Sequence, residues 1–351
     1  LVEETLFQPA FAEAELAPLI GEVEDELMSE RDDEEELASL WFQRAFFSGT
    51  VFARRNAGEL SDLPRITTDV IRELYRSRIC SDTLIVVAAG DIDAKVLEAF
   101  VDRLSTLPES DEAFAQRRSD ERVLPEPPAP GILLVNQPDH DQVQLRLGRI
   151  GLSGRDPQLI PFWLGTTAFG GMFTSPFVQA IRDERGWSYT AHASFARFGT
   201  LPTYWLLESA PQLADALPCL ELQLEMYRAL AEGTLDTEHI ELGRSYLLNR
   251  FPLTVASARD LTYPAFRNAL LGPEAVPLDE IPDRLAAESD DDVRAAMRYG
   301  LDAESWAAVV VGSVEKLGGA VAKQFPDARV AMVDYRSDTL SPFEELIEGE
   351  P

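Results

Sequence analysis

Read along the chain, apolar positions change period several times, and each change predicts an element. In "QVQLRLG" Val143, Leu145 and Leu147 alternate with Gln142, Gln144 and Arg146, the period of a half-buried strand. Helical spacing follows at about 157–168, 175–185 and 212–231, and strands are predicted around 189–197 and 203–208. "TLIVVAAG" and "WAAVVVG" are short continuous apolar runs of strand length. Nearer the start, Leu16, Leu19, Ile20, Val23 and Leu27 form a helical stripe, in which Pro18 predicts a kink or a late start. Together these make an α+β layout.

One stretch has complete boundary signals. In "GGMFTSPFVQAIRDERGWSYT", Ser175 is placed to cap a helix with Pro176 as its first residue. Phe177 and Ile181 form an inward pair, and Gly186 provides the stop. Arg182 then falls in the last turn and Tyr189, seven residues on, at the start of a strand. Gly170 and Gly171 are too few for a phosphate loop and are expected to let the backbone pass close to a neighbouring domain.

The pattern also repeats. "TTDVIRELYRSRICSDTLIVVAAGDIDAKVLEAF" and "SDDDVRAAMRYGLDAESWAAVVVGSVEKLGGAV" both read helix, polar break, apolar strand, Gly, turn, helix, with Gly90 and Gly312 222 residues apart. Between the copies, 109–130 is charged and then Pro-rich, as in a linker. The expected organisation is therefore 1–108 as part of a first unit, 109–130 as linker, 131–336 as a second unit, and 337–351 as an acidic tail. On this repeat roughly 90 residues of the first unit have no counterpart before Leu1, so the chain is expected to begin in mid-domain.

Composition narrows the functional classes. The net charge of −30 over 351 residues, from 61 acidic and 31 basic side chains, repels phosphate backbones and anionic lipid and argues against nucleic acid or membrane partners. Cys80 and Cys219 have no metal-ligand spacing and are expected to be buried structural thiols. His140, His192 and His239 are not paired at i+4; a surface turn, a strand and a helix face account for them. Asp91 and Asp93 read as turn and cap residues, and "SERDDEEE" as a solvated run.

The block "FGGMFTSPFVQAIRDERGWSYTAHASF" resembles the C-terminal half of insulinase-like, pitrilysin-type zinc peptidases. "DELMSERDDEEELA", Gly58, "ITTDVIRELY" and "LIVVAAGDID" are similar to the second part of that family's N-terminal unit. The resemblance implies two homologous α/β-sandwich units, the first N-terminally incomplete, and explains the repeat as domain duplication. It also implies zinc held by two His and an attendant Glu in an inverted HxxEH helix, with a further downstream Glu as third ligand. HxxEH does not occur in this sequence. Glu26, six and seven residues before Asp32 and Asp33, matches the third-ligand spacing, although the usual second Glu seven residues earlier is replaced by Leu19. Glu15 and Glu22 share the seven-residue spacing and fit the downstream register less well. In so acidic a chain, a solvated helix face is the alternative reading of Glu26, and the one composition favours.

For the Arg/Tyr pair the resemblance implies substrate binding. Arg182 would offer forked donors to peptide carbonyls, and Tyr189 a phenol for substrate or a developing oxyanion. The bland alternative is that Arg182 complements the helix C-terminus. The implied function is the Arg/Tyr-bearing partner of a homologous zinc-bearing subunit, or a homodimer, acting on peptide or unfolded polypeptide and inactive alone. The alternatives are a truncated catalytic zinc endopeptidase and a non-catalytic scaffold.

Overall fold

The structure, a computed structural model, describes residues 2–112, 129–195, 201 and 204–343. Residues 113–128, most of the predicted linker, and 344–351 of the predicted acidic tail lie outside the described residues. The chain forms two compact units. One comprises Leu1–Ser29, Arg55–Val123 and Thr254–Leu270, the other Glu30–Arg54, Leu124–Leu253 and Leu271–Pro351.

The second unit is built on a six-stranded mixed sheet. Its strands are β1 (Gly131–Asn136), β2 (Gln144–Ile150), β3 (Ala191–Phe195), β4 (Tyr204–Ser209), β5 (Ala307–Gly312) and β6 (Arg329–Asp334), in the order β3-β4-β2-β5-β1-β6. β1 runs parallel to β5 and β6, while β2 is antiparallel to β5 and β4, and β3 to β4. "GILLVN" and "AAVVVG" show no alternation because both faces are covered, as parallel strands require. On one face Ile132, Leu134, Val143, Leu145, Leu147, Trp205, Leu207 and Val310 belong to the larger core. The helices α6 (Leu159–Gly170), α8 (Ala216–Ala231), α9 (Thr237–Arg250), α11 (Ile281–Ala287) and α12 (Asp290–Gly300) contribute to the same core. On the other face Leu133, Val135, Leu206, Val309 and Val311 pack with α3 (Glu34–Phe47).

α3 starts because the Asp33 carboxylate accepts from the backbone N–H of Glu35 and Glu36, at 2.9 and 3.0 Å, satisfying donors that a helix start leaves open. Its buried Leu37, Ala38, Trp41, Phe42 and Ala45 fall on one helical stripe. This helix changes the reading of β2. Arg146, predicted on a polar face, is only 2% exposed and forms an ion pair with Glu208, its antiparallel partner across the strands, at 3.1 Å. The alternation in β2 records two buried faces, one of them carrying a paired charge.

The first unit contains α1 (Val2–Phe7), α2 (Glu13–Glu30) up to Ser29, α4 (Thr68–Arg78), α5 (Ala94–Leu104) and α10 (Ala258–Leu271) up to Leu270. α2 runs through Pro18 from Glu13 with no late start. Thr67 caps α4, and Asp93 caps α5 by accepting from Lys95 N–H at 2.8 Å, the role expected for it. The run expected as a strand, "TLIVVAAG", forms no ladder, and Ile85 and Val86 are 41% and 42% exposed. A strand exists only through its neighbours' hydrogen bonds, and the first unit has none among the described residues. The 222-residue spacing nevertheless relates the caps Thr67 and Ser289, and Gly90 and Gly312, whose φ values are 137° and 149°. No described helix is long and apolar enough to cross a membrane.

Candidate substrate-binding site

The site begins where α6 ends. This helix is apolar on all sides and almost wholly buried, so its C-terminal residues are rigidly placed. A Cβ on Gly170 would stand 2.5 Å from that of Ala193 in β3, and one on Gly171 would stand 2.8 Å from Thr167 Cα. The two glycines therefore permit close packing inside their own unit rather than against a neighbouring domain.

The following turn is closed by Ser175. Its hydroxyl donates to Thr167 C=O at 3.1 Å and accepts from Met172 N–H at 3.1 Å, and it makes no cap bond to the next helix. Ser175 is thus a fastener for the loop, correcting the expected capping role. The helix does start at Pro176, and Phe177 and Ile181 are fully buried as predicted. α7 (Pro176–Val178) passes into a π turn over Gln179–Asp183, in which Glu184 N–H donates to Gln179 C=O at 2.9 Å. Gly186, with φ 64°, ends it; Gly186 N–H donates to Arg182 C=O and Trp187 N–H to Ile181 C=O, both at 3.1 Å. π turns recur at functional sites because they re-aim side chains without unwinding the helix.

Arg182 lies within that π turn. Its guanidinium carbon stands 4.6 Å from the centre of the Tyr189 ring and 4.9 Å from that of Phe173. Both residues are highly exposed, Tyr189 at 79% and Phe173 at 72%. The acidic neighbour of Arg182 is Asp183, at 3.9 Å, a distance that leaves the fork available for other acceptors. Arg185, the alternative cation, is used locally: it donates to Ala180 C=O and Glu184, both at 3.0 Å, and lies over Trp187. Tyr189 precedes β3, and its neighbour Ser188 holds the approach by accepting from Ala210 N–H at 2.8 Å and donating to Thr190 C=O. The structure thus brings the predicted Arg182 and Tyr189 together and adds Phe173, which sequence reasoning passed over. Its signal was a large aromatic between "GG" and "SP", where a turn favours small polar residues.

Glu26 belongs to the first unit. It is exposed on α2 beside the fully buried Leu27. Of the acidic pair that follows, Asp33 serves as the α3 cap. His140 pairs with Glu34 in a turn, His192 is exposed on β3 opposite Glu208, and His239 lies 3.9 Å from Asp236 at the start of α9. Among the described residues no group of three His, Cys, Asp or Glu could hold a metal. The described donors do not make up a zinc site by themselves. Cys219 is fully buried between Ser209 and Gln223, and burial raises its pKa, so it is a structural thiol.

Residues 65–247, more than half of the chain, match the model of the peptidase M16 inactive domain. The chain belongs to that M16 family. Two curated relatives agree. An "Uncharacterized zinc protease" of Streptomyces coelicolor is 24% identical over 285 residues, covering 79% of this chain and 61% of the relative. A "Probable inactive metalloprotease" of Bacillus subtilis is 20% identical over 310 residues, covering 86% of this chain and 70% of the relative. The M16 chain therefore spans less than two thirds of the Streptomyces protein. Among solved structures, a peptidase M16 inactive domain from Pseudomonas fluorescens superposes with a TM-score of 0.76 at 17% identity, covering 88% of this chain and 72% of that one. A protease from Helicobacter pylori gives 0.70 at 13%, covering 86% and 72%. The M16 likeness and the mixed sheet agree with the expected α+β class.

Proposed function

We propose that this M16 chain holds extended peptide or unfolded polypeptide through Arg182 and Tyr189, as the substrate-side partner of a homologous, zinc-bearing subunit. The observation that carries this is the contrast between two arginines: Arg185 is tied into its own helix end, whereas Arg182 is held over an exposed Tyr189 with its donors available. A planar fork matches backbone carbonyls of an extended chain, and a fixed position lowers the entropic cost of binding. The Tyr189 phenol can donate to a peptide oxygen, and the donation strengthens as negative charge develops there. Metal and water activation belong to the partner, since the donor set described above does not supply them.

Binding of a fluorescein-labelled unstructured peptide, followed by anisotropy, tests the reading. Arg182→Ala is expected to raise Kd by about tenfold, the loss of a charge-assisted hydrogen bond. In a mixture with a zinc-bearing homologue, Tyr189→Phe is expected to lower kcat by about tenfold or more with less effect on KM. Unchanged peptide affinity in Arg182→Ala would sink the proposal and favour a scaffold role.

A second reading rests on the exposure of Glu26 beside buried Leu27. It makes Glu26 a ligand of a zinc site completed by residues of a longer polypeptide, a catalytic endopeptidase. Zinc content of such a protein should fall in Glu26→Gln; equal content in both forms excludes the role.

A further inference from the structure

Phe173 is an uncommon placement for an aromatic side chain. The residue is 72% exposed, yet its backbone is fixed on both sides. Gln179 Nε2 donates to Phe173 C=O at 3.0 Å, the adjoining Met172 N–H is held by Ser175, and Gly171 is pressed against Thr167. Exposed apolar groups on loose segments can fold back onto the surface, but one on a fastened turn keeps its face to solvent. Its contact with Arg182 uses ring area without removing the ring from water. With Tyr189, also exposed, Phe173 makes a two-ring surface with a cation over both rings. Such a surface offers two kinds of recognition at once: charged donors for backbone carbonyls, and aromatic faces for an apolar side chain.

We infer that Phe173 is a specificity-determining residue that selects bound peptides carrying an aromatic or large aliphatic side chain next to the segment gripped by Arg182. The inference rests on the proposed peptide site and gives it a substrate class. Rotamer entropy favours such a contact, because a Phe with two χ angles and a fixed backbone loses little freedom on binding. The Arg182 contact serves the same end, since a cation over the ring restricts it further.

The test uses two labelled unstructured peptides, identical except for one central Phe or Ala, titrated against the full chain and its variants by anisotropy. The unaltered chain is expected to bind the Phe peptide about tenfold more tightly, in the range a single apolar contact supplies. In Phe173→Ala the ratio of the two affinities should shrink to within about twofold, whatever the change in overall affinity, while Phe173→Leu should retain an intermediate preference. Phe173 is exposed, so these variants keep the fold, and circular dichroism checks this. A Phe preference that survives in Phe173→Ala, or is absent from the unaltered chain, overturns the inference. Arg182→Ala separates this from the underlying reading: if it leaves affinity for both peptides unchanged, the peptide site itself is wrong.

Discussion

Arg182 and Arg185 stand one helical turn apart and differ in everything that matters for binding. Arg185 reaches back to Ala180 C=O, while Arg182 is lifted over two exposed rings by the π turn that contains it. Three residues of sequence separation cannot tell them apart, and it is Arg182, seven residues before Tyr189, that stands over the Tyr189 ring. A second residue whose role depends on what lies across from it is Gly148, in the middle of β2. A Cβ there would stand 2.0 Å from Trp205 C=O on β4 and 2.9 Å from the Phe42 ring on α3. Gly148→Ala should therefore force β4 away and cost about 1–3 kcal/mol or more, read as a lower urea midpoint with the m-value retained.

At the scale of elements, the helices with local signals are the ones the sequence marks most clearly. α12 opens with Ser289 and Asp292 in a reciprocal cap: Asp292 carboxylate accepts from the Ser289 hydroxyl at 2.6 Å and from its N–H at 3.0 Å, and Ser289 Oγ accepts from Asp292 N–H at 3.2 Å. The Ser289 hydroxyl, then its backbone N–H, hold the Asp292 pKa below its ordinary value. A carboxylate depressed in the folded state contributes stability that is present above its unfolded pKa and is lost as pH falls through the folded one. Asp292→Ala should flatten the stability–pH curve on the acid side, below about pH 4, and leave its slope at neutral pH unchanged, as followed by urea unfolding across pH. Elements that depend on partners behave differently. The apolar run at β5 forms a fully buried strand between β1 and β2, while the similar run ending at Gly90 forms none and leaves Ile85 and Val86 exposed.

For the whole molecule, the units do not follow contiguous halves of the sequence. The second unit takes α3 from before the predicted linker, and the first takes most of α10 from after it. At the 222-residue spacing, α3 falls on the stretch 256–269, within two residues of α10. The second unit thus draws the helix that covers one face of its sheet from before the predicted linker. It has a measurable consequence. A fragment of residues 131–336 retains the sheet but loses Trp41, Phe42 and the rest of the helix that covers Leu133, Val135 and Val309. Burial of that face is worth on the order of 25 cal/mol per Å² of apolar area, so the fragment should lose cooperative thermal unfolding or precipitate, whereas the full chain unfolds cooperatively. A fragment as stable as the full chain, by circular dichroism melting, would show that α3 contributes little.

Much of the site could be read from sequence because its signals are short-range. Pro176 and Gly186 act through backbone sterics, and the inward pair Phe177 and Ile181 through helical spacing, all within one or two helical turns. The same holds for the capping of α5 by Asp93 and for the existence of β2 as a strand, though not for the solvation of its polar face. What only the tertiary structure decided involves partners beyond that reach or on other elements. Arg146 is buried because α3 covers its face, Ser175 fastens a loop because Thr167 lies beneath it, and Phe173 joins Arg182 because the turn before α7 and the π turn after it bring the two side chains together. Periodicity specifies which side of an element is apolar; contacts between distant segments decide what covers that side and which exposed groups remain to bind something else.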